Sequence, residues 1–250
     1  EQQSQEALAR EGRWAASQSL GIIVDFTSGL NLYPDLRFCN NSAAEYAKSV
    51  RRTEAVLTKM STLINTNIDT PMRYAQHAIL SGHKPPENYY NVAQCRQDFV
   101  AAFKRFASIA QNHRGLQLHL RLAHGKWHDV EEAIDFVIDV DSPVLRVAPS
   151  TALLQFQGVR TAEQLQVAHP RLTAYVGLWL AARPVADPLV PSRLLSGHGT
   201  LASDETAATA AAALFRTVPE VPVLLDAALP MDDGGDAEFR EAEAFRISVD

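Results

Sequence analysis

The sequence predicts an α/β fold built on a parallel sheet, and three observations carry that reading. Short apolar runs of strand length alternate with amphipathic helical stretches along nearly the whole chain. The runs are apolar throughout, as in a sheet buried on both faces. Seven such runs within 250 residues match the size of a TIM-type (β/α) barrel, complete or with only seven clear strands. A doubly wound open sheet is the alternative, but no G-x-G-x-x-G follows the first run.

The first strand is predicted over 20–26 (LGIIVDF). A helix follows over 43–60, with Ser42 and Glu45 as a capping box and Tyr46, Val50, Leu57 and Met60 on its inner face. The second strand covers 77–82 (HAILSG). The next helix, 92–112, has Asn91 and Gln94 as its cap pair. Its Cys95, Phe99, Phe103, Phe106 and Ile109 recur at helical spacing. Strands at 115–122 (GLQLHLRL) and 144–150 (VLRVAPS) flank a helix at 129–140. Thr161 and Gln164 cap a helix at 162–169. Strands follow at 174–181 (AYVGLWLA) and, shorter, at 192–197 (SRLLSG). Alanine content marks a helix over 203–218. A last strand covers 221–229 (VPVLLDAAL), and the tail carries a terminal helix.

No Pro/Gly/Ser linker interrupts this rhythm, so one barrel domain over residues 1–250 is expected. The chain begins at Glu1, which is expected of part of a longer precursor. No compartment can be assigned from it.

Composition narrows the partners. The chain is 46% apolar and 21% charged, ordinary for a folded soluble domain. Its net charge is −6 and no basic stripe appears, which argues against nucleic acid. The apolar stretches are strand-sized, so none is expected to span a bilayer. Two cysteines do not make a disulfide framework, though Cys39 and Cys95 could pair. Cys95 falls on the apolar helical stripe, which predicts a buried free thiol.

The later units carry a resemblance. LQLHLRL, LRVAPSTALL, YVGLWLA and RLLSGHGTLASDETAATAAAALFRTVPEVPVLLDAAL resemble the last units of the xylose-isomerase-like barrels, the sugar-phosphate isomerase/epimerase group. The resemblance covers roughly two thirds of the chain and is one of rhythm more than motif. It implies a TIM barrel, a small carbohydrate or sugar-phosphate ligand, and a divalent metal held by Glu, Asp, His and Glu at strand ends. This chain departs from that metal pattern. His119 and Arg121 stand where a Glu is expected, LRVAPST has neither Asp nor His, and Asp226 is the only carboxylate of the last strand. The usual metal quartet is not recognisable.

In a barrel, function sits at the C-terminal ends of the strands. That rule selects Asp25, His83, His119 with Arg121, Ser150, Arg183, His198 and Asp226. His119 and Arg121 are two apart and share a face of their strand, where polar groups are costly unless paired. Arg121 is suited to clamp a phosphate or carboxylate, and His119 to act as acid, base or metal ligand. Alternatively both belong to a polar network closed by Asp25 or Asp226.

The motif SGHKPPENYY offers His83, Glu87, Asn88 and Tyr89 as sugar contacts, since aromatic faces stack on sugars and amides bind hydroxyls. The long loop over 27–41 adds Asn31 and Tyr33. His198 lies in SGHGTLAS, read chiefly as a tight turn and less as an anion loop. The leading expectation is isomerase/epimerase-like acid/base chemistry by His119 with Asp25 or Asp226. A divalent metal on His83, His119 and one of these Asp residues is a variant of it. A glycoside hydrolase using two of Glu87, Asp25 and Asp226 is the second reading. A non-catalytic binding module is the third.

Overall fold

The protein is described from a computed structural model, which defines residues 5–17, 23–25, 42–65, 76–80, 92–113, 116–122, 129–181 and 212–225. The chain divides into two compact units, Glu1–Arg121 with Asp135–Arg146, and Leu122–Ile134 with Val147–Asp250.

The first unit contains helix α1 (Gln5–Ser17), strand β1 (Ile23–Asp25), helix α2 (Ala43–Asn65), strand β2 (Gln76–Leu80) and helix α3 (Val92–Gln111). It also holds nearly all of strand β3 (Leu116–Leu122). Helix α4 (Val130–Val140) and strand β4 (Leu145–Pro149) are divided between the units. The sheet order is β1-β2-β3-β4. The pairs β1–β2 and β2–β3 are parallel. The amide of Leu118 donates to the carbonyl of Val144 at 2.8 Å where β3 meets β4. A strand order that follows the chain, with a helix after each strand, is what repeated right-handed crossovers produce.

Helix α3 supplies the core of this unit. Phe99, Phe103 and Phe106 are buried, with Phe103 and Phe106 at a ring separation of 5.5 Å. Phe136 meets Phe103 edge-on at 5.1 Å. The stripe turns slightly at its end, where Ala110 is buried and Ile109 is only half-buried. Three polar contacts tie the helices at their surface. The Tyr46 hydroxyl donates to the Asp98 carbonyl at 3.1 Å, Arg105 grips Glu54 with two bonds, and Arg96 holds Asp139.

The second unit contains helices α5 (Thr151–Phe156), α6 (Ala162–Ala168) and α7 (Leu172–Tyr175), and the parallel strands β5 (Trp179–Ala181) and β6 (Val223–Leu225). Val147 and Ser150 form parallel bridges to Val176 and Leu180. The capping box of α6 is complete, with Thr161 and Gln164 bonding reciprocally. Trp179 is fully buried, and Phe215, in the helical residues 212–217, lies 6.0 Å from its ring.

Several expectations need correction. The strand predicted over 174–181 is shorter, because residues 172–175 turn as α7, Val176 makes only an isolated bridge to Val147, and the strand proper is Trp179–Ala181. Ala and Tyr are compatible with either state, and the turn that follows His169 decides. Helices α1 and α5 were not anticipated. Cys95 is buried, as expected of its stripe, but is disulfide-bonded rather than free. Burial on a helix does not distinguish a thiol from a half-cystine. The chain's other cysteine, Cys39, lies outside the described residues. The predicted strand at 192–197, residues 203–211 of the alanine-rich helix and the tail also lie outside them.

Candidate active site

Alternation along β3 separates two faces. Leu116, Leu118, Leu120 and Leu122 are fully buried on one, while Gln117, His119 and Arg121 share the other. The register places Ile79 against His119 and His77 against Gln117. His77 and His119 therefore stand on the same face as diagonal neighbours. On β1, the backbone of Asp25 pairs with that of Ile79.

The two imidazoles meet. Nδ1 of His77 lies 2.7 Å from Nε2 of His119, with ring centroids 4.9 Å apart and a 40° tilt. Only one proton fits in such a contact, so one ring donates and the other accepts. His119 is 1% exposed and His77 8%. Burial above all, then the neighbouring His77 and the Arg146 guanidinium, push the pKa of His119 down to about 3. Burial lowers that of His77 as well. Both rings are therefore neutral near pH 7.

One atom of the pair is left over. Nδ1 of His119 is buried and meets no hydrogen-bonding group among the described residues. Such an atom costs about 1–3 kcal/mol unless something supplies its partner. Arg121, half-buried, lies two residues further along the same face. Chemically, the face offers a neutral imidazole pair with Arg121 further along the same strand and the Arg146 guanidinium acting on His119.

The spacing of the two rings bears on a divalent metal. Two nitrogens ligating one ion stand about 3 Å apart or more, because each metal–nitrogen bond is about 2.0–2.1 Å. The 2.7 Å separation of the imidazoles fits a shared proton and not an ion between them. Among the described residues, no group of three His, Cys, Asp or Glu could hold a metal. The imidazole pair is therefore not a metal site, and His83, Asp226 and the side chain of Asp25 lie outside the described residues.

Of the residues selected from sequence, His119 and Arg121 are fully described. His119 sits in the middle of β3 rather than at its end, and its partner is an imidazole instead of a carboxylate. Asp25 is described by its backbone alone. Ser150 is buried just before α5 and makes no cap bond with its side chain. Asp226, His83, Glu87, Asn88, Tyr89, Asn31, Tyr33, Arg183 and His198 lie outside the described residues. His77 and Arg146 were missed as site residues. Each is a polar residue at an alternate position of an apolar strand, the same signal that singled out His119. No helix among the described residues is long and apolar enough to cross a membrane.

No family model matches the chain, and no curated protein is significantly similar to it in sequence. Solved structures are similar to it over nearly its whole length. D-psicose 3-epimerase from Clostridium cellulolyticum H10, solved with D-tagatose, aligns with a TM-score of 0.64 at 13% identity, covering 98% of this chain and 82% of that one. A candidate xylose isomerase from Rhodospirillum rubrum aligns with a TM-score of 0.67 at 10% identity, covering 97% and 80%. The 3-keto-D-glucoside 4-epimerase of E. coli aligns with a TM-score of 0.57 at 10% identity, covering 97% and 86%. At such identities the likeness speaks for architecture, and it is consistent along the chain: this protein has the α/β fold of the xylose-isomerase-like TIM barrels.

Proposed function

We propose that the protein binds a small carbohydrate or sugar phosphate and moves a proton at a carbon beside its carbonyl, as an isomerase or epimerase does. The observation that carries this reading is the neutral His77–His119 pair, set in a fold whose solved examples include sugar 3- and 4-epimerases. A general base must be in its uncharged form at the working pH, and its strength is greatest when its pKa lies near that pH. Burial keeps His119 in that form. Arg121 is the anchor for a phosphate or for the developing enolate oxygen, since a guanidinium gives paired donors. Asp25 and Asp226 are proposed as the second proton carrier. His83, Glu87, Asn88, Tyr89, Asn31, Tyr33, Arg183 and His198 are proposed as sugar contacts.

The test is proton exchange. Purified protein is incubated in D2O with D-fructose, D-tagatose or D-psicose, and with their phosphates, with chelator in one series and added divalent cation in another. Deuterium appearing beside the carbonyl, and lost in His119→Gln, is the expected result. Binding without exchange in every series would leave a binding module in place of an enzyme.

A further inference from the structure

His119 is the proposed base, but it does not stand alone. Its Nε2 is committed to Nδ1 of His77, and its Nδ1 is the atom without a partner among the described residues. On the face of the pair the register sets Gln117 beside His77, Ile79 beside His119 and the backbone of Asp25 beside Ile79, and the Arg146 guanidinium of β4 acts on His119. Asp25 is the carboxylate that the register brings to this face, and it is described by its backbone alone.

We infer that His77 and His119 form a two-ring proton relay, in which a proton gained at Nδ1 of His119 is matched by one released from Nε2 of His77. The pair has two neutral arrangements. In the first, His119 carries its proton on Nε2 and donates to the bare Nδ1 of His77, whose proton sits on Nε2. In the second, His119 carries its proton on Nδ1, and His77 donates from its own Nδ1 while its Nε2 is bare. The step between them is balanced. An N–H bond forms at Nδ1 of His119 with the proton taken from substrate. The shared proton crosses 2.7 Å from Nε2 to Nδ1. The N–H bond at Nε2 of His77 breaks, and water takes that proton. The reverse step returns a proton to Nδ1 of His119.

Three observations support this beyond the contact itself. His77 is 8% exposed and His119 1%, so His77 is the end of the pair nearer solvent. A passage through neutral rings avoids placing an imidazolium beside Arg146 in a site with little solvent. The unpartnered Nδ1 is a donor in one arrangement and an acceptor in the other, which is what delivering and removing a proton require. A positioning residue need only hold His119, while a relay must also change its own protonation.

The relay rests on the sugar reading for its proton source, and the experiment separates the two. The full chain is labelled with 15N-histidine, and long-range 1H–15N spectra are recorded with and without D-fructose. Scalar coupling between Nδ1 of His77 and Nε2 of His119, with both neutral arrangements in exchange, is expected. His77→Asn keeps a polar group near the position of Nδ1 but has no second ring nitrogen. It should keep ketose binding within about two-fold and lose at least ten-fold in deuterium exchange. Exchange at the wild-type rate in His77→Asn, or one frozen arrangement in the wild-type spectra, overturns the relay. If wild-type protein exchanges no ketose proton, the sugar reading falls, and the spectra alone decide whether the two rings share and pass a proton.

Discussion

Nδ1 of His77 and Nε2 of His119 stand 2.7 Å apart on neighbouring parallel strands, so two buried imidazoles are joined by a single hydrogen bond. The pair makes stability depend on acid. Unfolded, His119 takes up a proton below about pH 6.5, whereas folded it stays neutral down to about pH 3. Its contribution is therefore complete above pH 6.5 and is lost progressively as pH falls toward 3. The loss is on the order of a few kcal/mol. Urea midpoints at pH 7.5 and 4.5 measure it, and His119→Gln should flatten the dependence. Equal slopes in variant and wild type would refute the assignment.

Arg121 should discriminate by charge. Replacing it by Met is expected to weaken binding of a phosphorylated ketose at least ten-fold, about 1.4 kcal/mol, and to change binding of the free sugar little. Calorimetric titration of both ligands against both proteins gives the comparison. Equal weakening for the two ligands would assign Arg121 to packing.

The core of the first unit should be sensitive at Phe103. The ring packs against Phe99, Phe106 and Phe136, and none of its surface is exposed. Truncation to Ala is expected to cost about 3–5 kcal/mol. Lys104→Ala, one residue along on the exposed side of the same helix, should change stability by less than about 0.5 kcal/mol. Chemical denaturation of the two variants tests the contrast.

Two ion pairs should differ. Arg105 and Glu54 meet at 2.7 Å near the surface, and breaking such a pair costs about 0.2–1 kcal/mol. Arg171 meets Glu131 at 2.6 Å and also donates to its backbone carbonyl, while Oε1 of Glu131, 3.9 Å from Nδ1 of His169, is buried without a hydrogen bond among the described residues. Arg171→Met removes the bond that holds this carboxylate and is expected to cost more than Arg105→Met. Partial exposure of both side chains keeps the figure near ~1–1.5 kcal/mol. Equal midpoints for the two variants would show that the orphaned oxygen carries no penalty.

The cap of α6 offers a local check. Thr161 accepts from the amide of Gln164, whose side chain returns to the amide of Thr161. Thr161→Ala should lose about 1 kcal/mol, and Thr161→Ser should recover most of it.

Local signals in the sequence were enough for the helices and for the alternation with strands. The phenylalanine spacing of α3, the Thr161/Gln164 box and the apolar runs of β2 to β4 act over one or two turns or a few residues, so the chain itself specifies them. The end of the 174–181 run was misread because its residues are indifferent, and contacts beyond the run select α7. His119 and Arg121 were legible as polar residues on an apolar strand. His77, which shows the same sign, went unread because its meaning depends on a partner 42 positions away.

The sequence by itself determined the period, the caps and the apolar face of each element, since these follow from side-chain chemistry and backbone geometry within a short window. Only the tertiary structure decided which polar residues share a face. Parallel register places His77 diagonally opposite His119, and a slip of one residue would turn His119 to the other face. Burial then made the pair neutral. Register and burial are properties of the assembled sheet, and no local pattern encodes them.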